Sequence, residues 1–303
     1  MEIFDRLGAD DVADIINLVD VGTNADGLSA LGEQTILNLR HGDHGPSAHL
    51  LIRDESGELT GYADLDLSGT DNATMELIVH PMHRNRGLGG QLIAAAVERA
   101  RRAGAGELHA WAHGDHPSAL AAAERFGFTR PRDLWQMRRR LTDAEPEVET
   151  PTGVRIRAFV PGRDEENLLA VNNAAFADHP EQGTWTLRDV AVREREDWFD
   201  PAGLLLAERI EDGELLGFHW TKVHGEGDSA IGEIYVLGVA PAAQGLKLGG
   251  VLTVAGLAYL RGRGLDKVML YVDESNTRAV QLYTRAGFRR WTTDVNYQLV
   301  LTR

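Results

Sequence analysis

Along the chain the spacing of apolar and polar residues switches between a two-residue and a helical period, and it runs through the same series of switches twice. Residues 49–64 (HLLIRDESGELTGYAD) set two β-rich runs on either side of Ser56-Gly57, and residues 204–220 (LLLAERIEDGELLGFHW) do the same around Asp212-Gly213, which predicts two hairpins. After each hairpin the pattern reads strand, glycine-rich turn, helix, strand, short helix, Gly-Phe and a last strand. In the second copy the strand covers 234–239. The helix that follows runs to about Arg261, with Leu252, Ala255, Ala258 and Tyr259 on one face, and Gly262 and Gly264 close it. A shift of 160 residues without a gap puts Pro81 on Pro241, Arg84 on Gln244, Gly89 and Gly90 on Gly249 and Gly250, and Gly127-Phe128 on Gly287-Phe288. Two homologous α/β domains are therefore expected. The polar, acidic stretch 142–151 (TDAEPEVETP), with its two prolines, has the composition of a linker and divides the chain into 1–145 and 152–303.

Composition narrows the function. A net charge of −15 excludes a protein that tracks a nucleic-acid backbone and suits a cationic or amine-bearing partner. No apolar run reaches the ~18 residues of a membrane span, and the opening MEIFDRLGAD has no basic stretch followed by an apolar one, so a cytoplasmic, non-membrane monomer is expected. The chain has no cysteine, which removes disulfides, thiolate metal sites and a cysteine nucleophile.

The glycine-rich turns carry the chemistry. The segment 239–250 (VAPAAQGLKLGG) opens a helix whose free first-turn N–H groups and positive dipole end suit a phosphate, and 79–90 (VHPMHRNRGLGG) repeats it. Neither is a P-loop or a dinucleotide-binding turn. The pattern resembles the Gln/Arg-x-x-Gly-x-Gly/Ala pyrophosphate loop of the GCN5-related N-acetyltransferase (GNAT) family. Arg84, Gly87 and Gly89 match it fully; Gln244 and Gly249 match, while Lys247 stands at the middle glycine, where it can add a charge contact to phosphate. Residues 273–288 are similar to the family's Asn-x-x-Ala-x-x-Leu-Tyr-x-x-x-Gly-Phe segment through Asn276, Ala279, Leu282, Tyr283, Gly287 and Phe288. Asn276 can N-cap that helix, and Gly287 can end it.

Spanning nearly the whole chain, the resemblance implies two tandem GNAT domains of mixed-sheet α/β architecture, with acetyl-CoA as co-substrate and no metal. It implies pantetheine contacts from Leu237, Gly238 and Val239, and pyrophosphate contacts from Gln244, Gly245, Leu246, Lys247, Leu248, Gly249 and Gly250. Asn276, Thr277, Arg278, Ala279, Val280 and Gln281 would add to them. In the first half the matching positions are Ile78, Val79, His80, Arg86, Gly87, Leu88, Gly89, Gly90 and Gln91. Backbone N–H groups near Val239 would polarise the thioester carbonyl, and Tyr283 would donate to the departing thiolate, unless it is a core tyrosine.

The two halves are not chemically equivalent. At the same offset Tyr283 falls on Ala123, Asn276 on His116 and Glu233 on Ala73, so the first half keeps a phosphate turn but lacks the candidate acid and base. It is expected to bind acetyl-CoA without turning it over. Glu233, read at the start of strand 234–239, is the candidate base. An α-amine with a pKa of ~7.7–8.0 needs only a modest push, through a water. Binding the ammonium is its alternative role, and a solvated strand edge its bland one. The segments 172–186 (NNAAFADHPEQGTWT) and 219–223 (HWTKV) resemble a tandem-domain branch of the family that acetylates the cysteinyl amine of a glucosaminyl-inositol, a small-molecule, aminoglycoside-like thiol precursor. That resemblance implies substrate contacts from Glu33, Glu181, Lys222, Glu233 and Tyr271. Another primary amine, or a non-catalytic acyl-CoA sensor, are the alternatives. His109, His113, Asp115 and His116 lie where alternate strand side chains point apart, so no metal site is expected there. Arg138 to Arg140 read as a solvated strand end.

Overall fold

Strand β3 (Leu59–Asp66) is buried along nearly all its length, as is β9 (Leu215–His224), because helices cover both faces of the sheets they belong to. Helices α1 (Ala9–Asp26) and α2 (Glu33–His41) lie on one side of β3, and α3 (Leu88–Ala103) on the other. The pleat of β2 (Ser47–Arg53) therefore sends Leu50 and Ile52 to α3 and Leu51 to α1. The first copy also holds β1 (Glu2–Phe4), β4 (Asn72–Val79), β5 (Glu107–Ala112), α4 (Pro117–Phe126) and β6 (Thr129–Arg140). The second holds β7 (Val154–Ala158), α5 (Glu165–Ala175), α6 (Leu187–Arg193), β8 (Leu204–Arg209), β9, β10 (Ile231–Val239), α7 (Leu248–Gly262), β11 (Lys267–Asp273), α8 (Thr277–Arg285) and β12 (Arg289–Val300). In β9, Phe218 and Trp220 pack toward α5, and Leu216 packs toward α7.

This computed structural model describes residues 1–42, 45–69, 71–141, 148–177 and 182–301; Glu181 lies outside them. No helix among the described residues is long and apolar enough to cross a membrane.

Two compact units result. One comprises residues 1–135, 273–275 and 292 onward, and the other 136–272 and 276–291. The strand order is β1-β2-β3-β4-β5-β12 in the first and β6-β11-β10-β9-β8-β7 in the second, with β4/β5 and β10/β11 parallel. The units thus depart from contiguous halves at the strand that ends each half. The C-terminal part of β12 pairs with β5, from Val295 opposite Ala112 to Val300 opposite Glu107, whereas the end of β6 belongs to the second unit. The two strands are equivalent in the repeat, so a local pattern does not say which unit either one completes.

One packing detail in the second unit bears on the site. His219 is fully buried on the α7 side, its Nδ1 2.7 Å from the Leu252 carbonyl, and burial pulls its pKa down to about 4, so it is neutral and donates from Nδ1. Gly256 is what makes room for it, since a Cβ there would lie 2.0 Å from the ring. A residue of the HWTKV segment is thereby committed to holding β9 on α7.

Candidate active site

The second glycine-rich turn folds as two left-handed residues, Gly245 (φ 98°) and Lys247 (φ 59°), and the first repeats this with Asn85 (φ 60°) and Gly87 (φ 84°). Lys247 is the N-cap of α7 and Gly87 that of α3, and no side chain caps either helix. In α7 the Gly250 N–H bonds to the Lys247 carbonyl at 3.1 Å, and the first-turn N–H groups ahead of it suit an anion. Space is left as well: a Cβ on Gly250 would meet nothing within 4 Å, and one on Gly249 only Leu282, at 3.7 Å. Arg278 donates to Gln244 Oε1 at 3.2 Å, and Asn276 caps α8 by accepting from the Ala279 N–H at 3.1 Å, so the start of α8 is tied to the cradle. Lys247 departs from the family glycine without changing the backbone, at a cost of roughly 1–2 kcal/mol for a side chain in this conformation. Lys247→Gly is expected to raise the thermal midpoint by a few degrees and to raise the KM for acetyl-CoA several-fold; a melting curve and a kinetic titration check the two effects.

Next to the cradle the sheet opens. Pairing of β10 with β11 covers only Gly232–Ile234 against Val268–Leu270, although β10 runs on to Val239 and β11 to Asp273. The edge of β10 beyond Ile234 that faces this gap, including Leu237, Gly238 and Val239, presents backbone groups to a ligand with amides of its own. On its other edge β10 carries a bulge between Ile234 and Val236. In the first unit, β3 and β4 pair without interruption from Gly61 opposite Val79 to Asp66 opposite Thr74. The bulge shifts the register by one residue, so Glu233, and not Ile234, stands directly opposite Lys222. Side chains at paired positions share a face, which puts Glu233 and Lys222 on the α5 side of the sheet.

Glu233 is not at a strand start, as its position before 234–239 suggested, but two residues inside β10. Gly232, inside the strand, is a packing glycine: a Cβ there would lie 2.9 Å from Leu260. Nor is Glu233 a solvated edge, being 5 % exposed. Its Oε2 lies 2.6 Å from Nε2 of His224, the last residue of β9 and one that reaches solvent. Beside it, the Lys222 ammonium sits 4.6 Å from the centre of the Trp198 ring and 5.3 Å from that of Tyr235. Arg193 donates to the Tyr235 hydroxyl at 2.6 Å and stacks 4.2 Å over Trp185. The face thus offers a carboxylate, a cation and aromatic walls to a polar amine. Sequence reasoning missed His224, Trp198, Tyr235 and Arg193. The first was within reach of it, because His224 follows Lys222 at the two-residue spacing of a strand.

The remaining candidates are placed as follows. Met269 is opposite Glu233, so Tyr271, two residues along β11, shares its face; the Tyr271 hydroxyl accepts from Gln136 Nε2 at 2.6 Å. Tyr283 is largely buried in α8, its ring edge-on to Phe288 at 5.9 Å, a packing that leaves its role as donor untouched. Burial also pushes its pKa up to about 12, which keeps the phenol protonated across the neutral range. Glu33 opens α2 in the first unit.

A family model described as the Acetyltransferase (GNAT) family matches residues 23–128 and again 166–288. The chain belongs to the GNAT acetyltransferase family. A protein of Stackebrandtia nassauensis named mycothiol acetyltransferase is 67 % identical over 98 % of both chains, and one of the same name from Thermobispora bispora is 54 % identical over 94 % of both. Among solved structures, a tandem GNAT protein from the clavulanic acid biosynthesis pathway shares the fold, with a TM-score of 0.76 and 20 % identity over 100 % of this chain and 99 % of that one. The chain is an acyltransferase whose co-substrate is acetyl-CoA, and among the described residues no group of His, Asp and Glu is arranged to hold a metal.

The GNAT acetyltransferase's first unit diverges at the corresponding face. Arg84, at the head of its loop, forms a two-pronged pair with Asp26 at 2.8 and 2.7 Å. At that face it has Glu76, which accepts from the Gly32 N–H at 2.8 Å and lies 3.4 Å from His113, itself 2.7 Å from Asp294. The other members of the metal-like histidine cluster are spoken for too. His109 bonds to Asn296, Asp115 pairs with Arg130, and His116 caps α4 as Asn276 caps α8.

Proposed function

We propose that this acetyltransferase moves the acetyl group of acetyl-CoA onto the cysteinyl amine of 1-D-myo-inosityl-2-(L-cysteinylamino)-2-deoxy-α-D-glucopyranoside, forming mycothiol, with the second domain of a 1–145/152–303 pair doing the chemistry as a cytoplasmic monomer. The observation that carries the reading is a buried Glu233 held by His224 and opposite Lys222, found in one unit only, on the strand that leads into the phosphate cradle. The relatives named mycothiol acetyltransferase support the choice of acceptor.

Bound acetyl-CoA supplies an activated thioester carbonyl; the rest falls to the chain. The incoming amine arrives largely as an ammonium and must lose a proton before it can attack. His224 Nε2–H donates to one oxygen of Glu233, which leaves the other oxygen to take that proton, directly or through a water. Lys222 can donate to hydroxyl or carbonyl oxygens of the acceptor, and Tyr271, Glu33 and Glu181 complete the proposed acceptor contacts. The N–H groups of 237–239 polarise the carbonyl, and Tyr283, protonated at neutral pH, donates to the sulfur. With no cysteine available to carry the acetyl group, direct attack by the amine is favoured.

Release of free CoA from acetyl-CoA, measured with the cysteinyl-glucosaminyl-inositol amine and a panel of simpler amines, tests the acceptor. A kcat/KM for that amine far above the others is expected, and equal or absent turnover would sink the reading. Tyr283→Phe keeps the ring packed on Phe288 and is expected to lower kcat about a hundredfold with an unchanged melting temperature.

A further inference from the structure

Glu233 on β10 and Lys222 on β9 stand directly opposite each other, a placement that sets Cβ atoms about 4.5–5.5 Å apart. A carboxylate and an ammonium so placed are expected to close into an ion pair. Here the carboxylate pairs with His224 instead, at 2.6 Å, and the Lys222 ammonium lies 4.6 Å from the centre of the Trp198 ring and 5.3 Å from that of Tyr235. Lys222 is 9 % exposed, so little water shares its charge, and ring faces attract a cation most strongly in such a setting.

The two rings are themselves held in place. The bulge in β10 puts Ile234 opposite Thr221 and Val236 opposite Trp220, which makes Tyr235 the inserted residue. Its hydroxyl accepts from Arg193 Nε at 2.6 Å, and its ring meets Trp198 at 5.1 Å and the fully buried Trp220 at 5.7 Å. Trp198 in turn meets Trp220 at 6.1 Å. Three rings braced against one another thus fix the surface on which the lysine lies.

This matters because Glu233 has two carboxylate oxygens and His224 already occupies Oε2. A lysine closing on the carboxylate would take the other oxygen and, as a neighbouring cation, make it a poorer proton acceptor. We propose that Trp198 and Tyr235 are positioning residues that divert Lys222 from Glu233, leaving the carboxylate open to the proton of the acceptor amine and the lysine turned to the acceptor's oxygens. The inference rests on Glu233 being the base.

A double-mutant cycle on the full-length protein, read as kcat and KM with acetyl-CoA and the cysteinyl-glucosaminyl-inositol amine, tests it. Lys222→Met alone is expected to raise the KM for the amine about tenfold. Trp198→Leu should lower kcat about tenfold, and Trp198→Phe, which keeps a ring face, about threefold. Adding Lys222→Met to Trp198→Leu should then raise kcat at least about fivefold above Trp198→Leu, because no cation remains to occupy Glu233. A merely structural loss is not repaired by removing a lysine. An unchanged kcat in Trp198→Leu, or a double variant no faster than Trp198→Leu, would overturn the proposal. Should Trp198→Leu not fold, Tyr235→Leu carries the same cycle through the other ring, and the same outcomes decide it. Glu233→Gln assayed alongside separates the two readings. Wild-type kcat in that variant removes the base and this proposal with it, whereas a slow Glu233→Gln without rescue in the cycle removes only the diversion of Lys222.

Discussion

Glu233→Gln is expected to lower kcat/KM by about 10²–10⁴ while leaving the melting temperature and the affinity for coenzyme A unchanged. The amide has the size of the carboxylate and an oxygen that still accepts from His224 Nε2–H, so the bulged strand keeps its packing. What is lost is the capacity to take a proton from the ammonium. If Glu233 only bound the cation, raising the pH to deprotonate the free amine would still not restore the variant's KM for the acceptor. If it is the base, activity should recover steadily as the pH rises past the amine's own pKa of about 8. Steady-state kinetics between pH 6.5 and 9.5 separate the two roles, and a kcat within twofold of wild type throughout would remove Glu233 from the chemistry.

The largest effect on stability is expected in the first unit, from His113→Ala. Burial works against a charge on this ring, but the carboxylates of Asp294 at 2.7 Å and Glu76 at 3.4 Å outweigh it and push its pKa up to about 10. Glu76, also opposed by burial, is held below the usual carboxylate range by His113, Thr35 and the Gly32 N–H. Removing the imidazolium strands two buried carboxylates, next to a third in Asp64 opposite Glu76, which costs about 3–5 kcal/mol. The sign of the pH dependence follows from the raised pKa. A histidine of this kind contributes fully below its unfolded value of about 6.5 and loses that contribution as the pH climbs through about 10. The gap between wild type and variant in urea unfolding should therefore be widest near pH 6 and narrow toward pH 10. A gap below 1 kcal/mol at pH 6, or one that widens with pH, would contradict the paired-imidazolium account.

Much of the proposed site is legible before any fold is known. The 160-residue repeat, the two phosphate turns, and a Glu233 and Tyr283 with no counterpart at Ala73 and Ala123 are all statements about spacing within one stretch of chain. Spacing of that kind is what helix caps, turns and amphipathic faces respond to. Lys247 is the instructive exception. Its residue type departs from the motif, yet the turn holds it left-handed where Gly87 stands in the first unit, because neighbouring structure and not the side chain dictates that backbone.

What the sequence determined by itself was thus the element order, the glycine-rich helix starts and the difference in residue types between the two halves. The tertiary structure alone decided three things. It assigned the C-terminal part of β12 to the first unit and the end of β6 to the second, joined His113 to Asp294 across 181 residues, and shifted β10 by one residue so that Glu233 faces Lys222 with His224 behind it. All three depend on which strand edges meet and in what register. Strand pairing is a choice among distant partners of similar local pattern, and it is settled by the packing of whole sheets and helices together.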